Sequence, residues 1–241
     1  MRDDEFYIGY EPGVPAGIAR QLRRAVTGLI AMLLVAAAVA TMTQRPLPAA
    51  TFDYGRPQAV RGWLTLLPTP TLHVRDGDRT TRYWLVGRGK SGAVADLAGF
   101  AEGWVSLEDT EIAREHWRML EIVPGSTRRV DSPESPPVEA PATRTAFQGR
   151  GEIVDSKCFL GVMNPGQGAV HRDCAARCLS GGVPLMFAYR DAYGESHLAL
   201  LLSASAGMPG PEWKQLAGTS VDISGQLLVR GDEEVLVVEP R

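Results

Sequence analysis

Lysine is scarce in this sequence. Only Lys90, Lys157 and Lys214 occur in 241 residues, against 22 arginines spread along the chain, and the formal net charge is -3. A surface that neutralises a run of phosphates needs a Lys/Arg cluster, so this composition argues against a dedicated nucleic-acid partner. Cysteine is equally rare: Cys158, Cys174 and Cys178 make an odd count, which excludes complete pairing within the chain. A phosphate loop is missing too. GRGKSGA, from Gly87 to Ala93, has the flavour of one, but the position where the pattern requires its first glycine is Trp84. The stretch reads instead as a β-turn with an exposed Lys90. No general acid/base pair is recognisable, so no catalytic or cofactor-binding residue is assigned from the sequence, and an enzyme is the less favoured reading.

Long hydrophobic runs are absent except for one. Ala25 to Met42 is uncharged, and Thr43 and Gln44 extend the run to the ~20 residues that cross a hydrocarbon core of ~30 Å. Arg20, Arg23 and Arg24 crowd its front edge while only Arg45 follows closely. The positive-inside bias therefore leaves residues 1–24 in the cytoplasm, makes 25–44 a transmembrane helix in contact with the lipid bilayer, and exports the remainder. In a bacterium this is a single-pass inner-membrane protein with periplasmic C-terminal domains. AVA at 38–40 and PAA at 48–50 resemble cleavage sites, which keeps a removed signal peptide open as the alternative.

Beyond a Pro-containing spacer, 45–59, the pattern is that of short strands. RGWLTLLP, TLHVRD, TRYWLVG, GWVSLED and HWRMLEIVP are alternating or apolar runs punctuated by Gly, Asp and Pro, which predicts a first all-β module over 60–124. Residues 125–146 lack hydrophobic periodicity and read as a Pro-rich linker. A second module spans 147–241, with GEIVD, PLMFAYRD, SHLALLLS, SVDISGQLLV and EEVLVVEP as strands and a short helix around His171–Leu179. The modules look related. Setting Val105 on Val221 brings Leu107 onto Ile223, Ile112 onto Leu228, Arg114 onto Arg230, Leu120 onto Leu236 and Ile122 onto Val238. Modules this small are near the lower limit for an independent core, and closing the sheet removes its edges. The expected fold is all-β: a transmembrane helix followed by two small OB-like β-barrels, the second bearing a Cys/His helix. The aromatics of the first module, Trp63, Tyr83, Trp84, Trp104 and Trp117, are expected to be packing residues rather than a base-stacking platform.

The second module carries the candidate site. At helical spacing His171, Cys174 and Cys178 fall on one face, Gly181, Gly182 and Pro184 end the helix, and MNPGQGA lets the loop after Cys158 fold back. One imidazole and three thiolates form a coherent tetrahedral set for zinc, or a soft set for copper. Asp155 and Asp173 are candidates to orient the imidazole. Two other readings stay open. In an oxidising compartment Cys158 pairs with Cys174 or Cys178 in a disulfide, or a thiol beside His171 does redox chemistry. His73, His116 and His197 lie on separate strand-like runs with no comparable argument.

The segment from Gly151 to Phe187 resembles one found in poorly characterised bacterial membrane-anchored or exported proteins. There a VDxxC strand end is followed by HxxCAxxC and GxPL, matched here by Val154, Asp155, Cys158, His171, Cys174, Ala175, Cys178, Gly182, Pro184 and Leu185. A closing VxxxGxL hairpin is matched by Val221, Gly225 and Leu227. The resemblance implies an exported family with a shared Cys/His site and no established activity. Three roles are consistent with these features. One is a membrane-anchored accessory or assembly protein for a redox complex, its Cys/His site holding metal or serving the fold. The others are a thiol-redox or copper/zinc-handling protein using Cys174 and Cys178, and a purely structural adaptor.

Overall fold

A computed structural model describes residues 13–43, 49–77, 79–138, 141–205 and 207–239, in two compact units, 1–47 and 48–241. The first unit holds helix α1, Ala16–Thr43, none of whose residues is buried. It begins earlier than the apolar run because Pro15, which lacks the N–H a helix start does not need, leads into a stretch of good helix formers. At 1.5 Å per residue its 28 residues reach ~42 Å, enough to span the ~30 Å core with the arginine turn outside it. The expected end at Gln44, Arg45, residues 1–12 of the segment expected in the cytoplasm and part of the 48–50 cleavage motif lie outside the described residues.

In the second unit, strands β2 (Gln58–Thr65), β3 (Thr71–Asp76), β4 (Arg79–Val86), β5 (Gly103–Arg114) and β6 (Trp117–Ile122) close on themselves. Neighbours are antiparallel except β4 and β6, which run parallel. Short β1 (Ala50–Phe52) and β7 (Arg128–Arg129) lie along β5. A second closed barrel is built from β8 (Thr143–Asp155), β9 (Leu185–Arg190), β10 (Ser196–Ser203), β11 (Ser220–Arg230) and β12 (Glu233–Val238), again with one parallel pair, β10 with β12. Both follow the order first, second, third, fifth, fourth and back to first. This is the OB-like arrangement, and the short helix that carries the cysteines belongs to the second barrel.

Register ties the barrels together residue by residue. Leu120 faces Glu111 and Leu236 faces Leu227; Trp117 faces Arg114 and Glu233 faces Arg230. The turns between these strands match as well, since Glu115 (φ 53°) and Gly231 (φ 58°) both take the left-handed conformation. In the first strands Gly62 is opposite Val105 and Gly151 is opposite Val221, so Arg61-Gly62 corresponds to Arg150-Gly151. Both glycines are required by close approach: a Cβ would lie 2.6 Å from the His73 carbonyl at Gly62 and 2.4 Å from the Ala188 carbonyl at Gly151. The barrels differ where the first strand leads to the second. Residues 66–70 suffice in one, whereas 156–184 intervene in the other, and all three cysteines lie in that insertion.

Each barrel has its own apolar interior. Leu64, Leu72, Leu85 and Leu107 fill one; Ile153, Phe187, Leu201 and Leu236 fill the other. A third cluster joins them, with Trp84, Ile112, Trp117 and Met119 from the first barrel packed with Val154, Phe159, Leu160 and Leu200 from the second. The two modules are therefore one compact body, for which the insertion supplies much of the shared filling. Arg114, only 5% exposed, lies over the Phe159 ring at 4.5 Å, and Arg82 pairs with Glu233 across the seam. The segment expected as a linker is partly docked on the first barrel: Trp104 Nε1 donates to the Glu134 carbonyl at 3.1 Å and Arg61 to that of Asp131 at 3.1 Å. Trp84 and Trp117 are packing residues, while Trp63 and Trp104 make an edge-on pair with ring centroids 6.0 Å apart.

Candidate metal centre

The site is anchored by a carboxylate with no exposure. Strand β8 ends at Asp155, and one wide turn, Cys158–Val162, follows. Asp155 Oδ1 accepts the Cys158 backbone N–H at 2.9 Å, while Oδ2 lies 3.0 Å from His171 Nε2. One side chain thus fixes the turn that presents Cys158 and the ring plane of His171. His171 ends a short 3₁₀ turn and immediately precedes helix α2, Arg172–Ser180, on which Cys174 and Cys178 stand one turn apart. The helix stops at Gly181, where Val183 N–H returns to the Cys178 carbonyl at 3.1 Å. A hydrogen bond of 3.2 Å from Ser156 N–H to the Pro184 carbonyl closes the neck of the insertion.

The fold brings the three sulfurs together. All lie within 4.8 Å of one another, and all are unbonded. The Cys158 and Cys178 sulfurs are 4.0 Å apart. Two sulfurs each ~2.3 Å from a tetrahedral ion would be separated by ~3.8 Å, whereas a disulfide needs ~2.05 Å. The spacing is that of ligands rather than of a bond. His171 does not join this group. Its nitrogen belongs with Asp155 and Cys158 in an adjoining triad, so the expected four-ligand set divides: the three cysteines form one triad, and His171 joins Asp155 in a second that shares Cys158. The physical reason is that His171 lies at the N-cap, before regular helix begins, and its ring turns to the buried carboxylate.

A residue from the other barrel completes the cluster. Lys90 Nζ lies 2.7 Å from Cys174 Sγ and 4.0 Å from Cys178 Sγ. Its turn is the GRGKSG stretch, and a second lysine holds it there. Lys157, 1% exposed, donates to the Gly87 and Gly89 carbonyls at 2.7 Å each and pairs with Glu121. On the far side Gly92 N–H donates to the Gly181 carbonyl at 2.9 Å, and a Cβ on Gly92 would stand 2.1 Å from the Gly182 oxygen. Only glycine permits that approach. Lys90 is an exposed turn residue, as expected from the sequence, and from that turn its ammonium reaches Cys174, a contact that local spacing does not announce.

Electrostatics distinguish the thiols. The Cys158 S–H donating to Cys178 holds the Cys178 thiol below its ordinary range despite burial, with the Lys90 charge helping. The same hydrogen bond, then burial and the nearby Asp155 charge, pushes the Cys158 thiol up. The hydrogen bond to Cys174 raises Lys90, keeping it cationic. Cys178 is thus primed to become a thiolate, and thiolates are what bind soft cations.

Fold and site together define a class: double-barrel proteins carrying one apolar spanning-type helix and a three-thiol cluster suited to a metal ion or to a structural role. No family model, curated protein or solved structure matches the chain.

Proposed function

We propose that this chain is a single-pass, membrane-anchored periplasmic accessory or assembly protein that holds one zinc or copper ion on Cys158, Cys174 and Cys178. The observation that carries the reading is the convergence of three unbonded sulfurs at ligand spacing beside a lysine cation. Three thiolates and one ammonium sum to -2, so a bound cation lowers the charge of a largely buried site. Asp155 stands behind Cys158 and fixes its turn, and His171 in turn holds the Asp155 carboxylate. The partner proposed is a membrane redox complex. Support comes from the anchor, which would confine the protein to the bilayer surface, and from a soft-ligand set of the kind used to hold redox-active metals.

The test is metal analysis of protein purified without a histidine tag, combined with thiol titration. The expected result is one equivalent of zinc or copper with all three thiols protected, and loss of the metal on Cys174→Ser. No metal together with a Cys158–Cys178 disulfide would overturn the metal reading in favour of thiol chemistry, which the lowered Cys178 thiol beside Cys158 also supports. Crosslinking in intact membranes tests the partner: recovery of a haem- or copper-containing complex is expected, and its absence would refute that part.

A further inference from the structure

A second side-chain cluster lies at the far end of the second barrel, on the turn between β9 and β10. His197 is the second residue of β10, and its ring is fixed from two directions. It stacks on Tyr189 with centroids 4.9 Å apart and 16° between planes, and its Nδ1 lies 2.7 Å from Glu234 Oε1 on the parallel strand β12. Glu234 is itself held, because Tyr189 O–H donates to its Oε2 at 2.8 Å. With Nδ1–H given to Glu234, Nε2 is left with an in-plane lone pair, and that atom is buried without a hydrogen-bond partner.

The groups facing Nε2 are carboxylates. Asp191 Oδ1 already accepts the N–H groups of Tyr193 at 2.9 Å and Glu195 at 2.8 Å, which turns Oδ2 towards the ring at 3.6 Å. That distance is too long for a hydrogen bond. It fits two ligands on one ion, since bonds of ~2.0–2.1 Å at a tetrahedral centre separate N and O by ~3.3 Å. The Glu195 carboxylate lies within 4.8 Å of both other ligand atoms.

We propose that His197 Nε2, Asp191 Oδ2 and the Glu195 carboxylate form a second metal site, for a borderline divalent cation such as zinc, with a water-accessible fourth position. A carboxylate behind the imidazole, here Glu234, fixes the tautomer and raises the basicity of the ligand nitrogen, as metal-bound histidines require. The donors are nitrogen and oxygen only, so this site discriminates against the monovalent soft ions that three sulfurs accept. It stands apart from the thiol cluster and does not depend on that cluster binding metal.

Cobalt(II) tests the assignment in the full-length chain in detergent, because cobalt bound to thiolates gives an intense sulfur-to-metal charge-transfer band and cobalt on nitrogen and oxygen does not. Equilibrium dialysis should find an equivalent of cobalt that adds nothing to that band. Asp191→Asn keeps the Oδ1 acceptor and hence the turn, and should weaken this equivalent at least tenfold; His197→Gln should abolish it, with the charge-transfer band and circular dichroism unchanged in both. Failure of the thiol site would remove the band and leave this equivalent in place, so the two readings fail separately. If the wild-type protein takes up no cobalt outside the band, or if both substitutions leave the extra equivalent unaltered, the triad is only a histidine bridging two carboxylates and the assignment falls.

Discussion

Replacing Lys157 by methionine tests whether the seam depends on one buried cation. Lys157 is 1% exposed, and the Glu121 side chain with which it pairs is 11% exposed. Methionine keeps most of the stem but removes the charge, leaving a carboxylate in the seam without its cation and the Gly87 and Gly89 carbonyls without their donor. Removing one member of a buried pair costs ~3–5 kcal/mol, and each orphaned carbonyl adds ~1–3 kcal/mol where water cannot reach it. Gly89 is exposed and recruits water, so only the Gly87 carbonyl adds its cost and the expected loss is ~4–8 kcal/mol, a large share of the ~5–15 kcal/mol that stabilises a typical domain. Urea denaturation of the full chain in detergent is followed by tryptophan emission, since Trp84 and Trp117 lie in the shared cluster. The double variant Lys157→Met with Glu121→Leu should recover most of the ~3–5 kcal/mol pair cost, because an apolar pair in place of a buried ion pair is close to neutral. A single-variant loss below ~1 kcal/mol, or a double variant worse than the single one, would refute the claim that this pair clamps the lysine turn.

Other outcomes follow from particular residues. Burial and the neighbouring Glu111 raise Asp109 to about 7, so between pH ~4 and 7 the folded protein keeps a proton that the unfolded chain releases. Stability therefore falls as pH rises through that window and is level above it. Asp109→Asn should flatten the slope and gain at most ~4 kcal/mol at pH 8, as read from denaturation midpoints at several pH values. Gly92→Ala places a methyl against the Gly182 oxygen and should cost ~1–3 kcal/mol while increasing the alkylation rate of Cys174. Lys90→Met should move thiolate absorbance to higher pH, because the ammonium helps hold Cys178 ionised. A reporter fused after Arg241 should be active outside the cytoplasm and one placed before Arg20 should not; the reverse result would overturn the orientation read from the arginines.

The barrels were legible in the sequence where strands alternate and where the copies kept step. The match of Leu107 to Ile223 through Ile122 to Val238 is the same register that the structure pairs. The relation between Arg61-Gly62 and Arg150-Gly151 was hidden, because the insertion changes the offset between copies. Strand β8 begins at Thr143, inside the stretch read as linker, since its first residues are exposed and polar and offer no alternation; they are recruited by backbone pairing to β11. At the site, local spacing foretold that Cys158 would meet the helical cysteines. Lys90 was out of reach of such reasoning, as it meets Cys174 from 84 residues away and through a different barrel. His197 escaped for the same reason: its partner Glu234 comes from a strand whose parallel pairing no local pattern announces.

Because the sulfurs come from one barrel and the ammonium above them from the other, a change in the angle between barrels would move the ammonium relative to the sulfurs. If the cluster holds the proposed ion, a ligand that binds one barrel arrangement more tightly than another would change the affinity for that ion by a definite factor. The ion would then change that ligand's affinity by the same factor, because the free energies around the cycle close. A protein partner gripping both barrels would then act as a loading or unloading lever without touching a single sulfur. The ion, in turn, would report its presence on the outer surface as a change in grip.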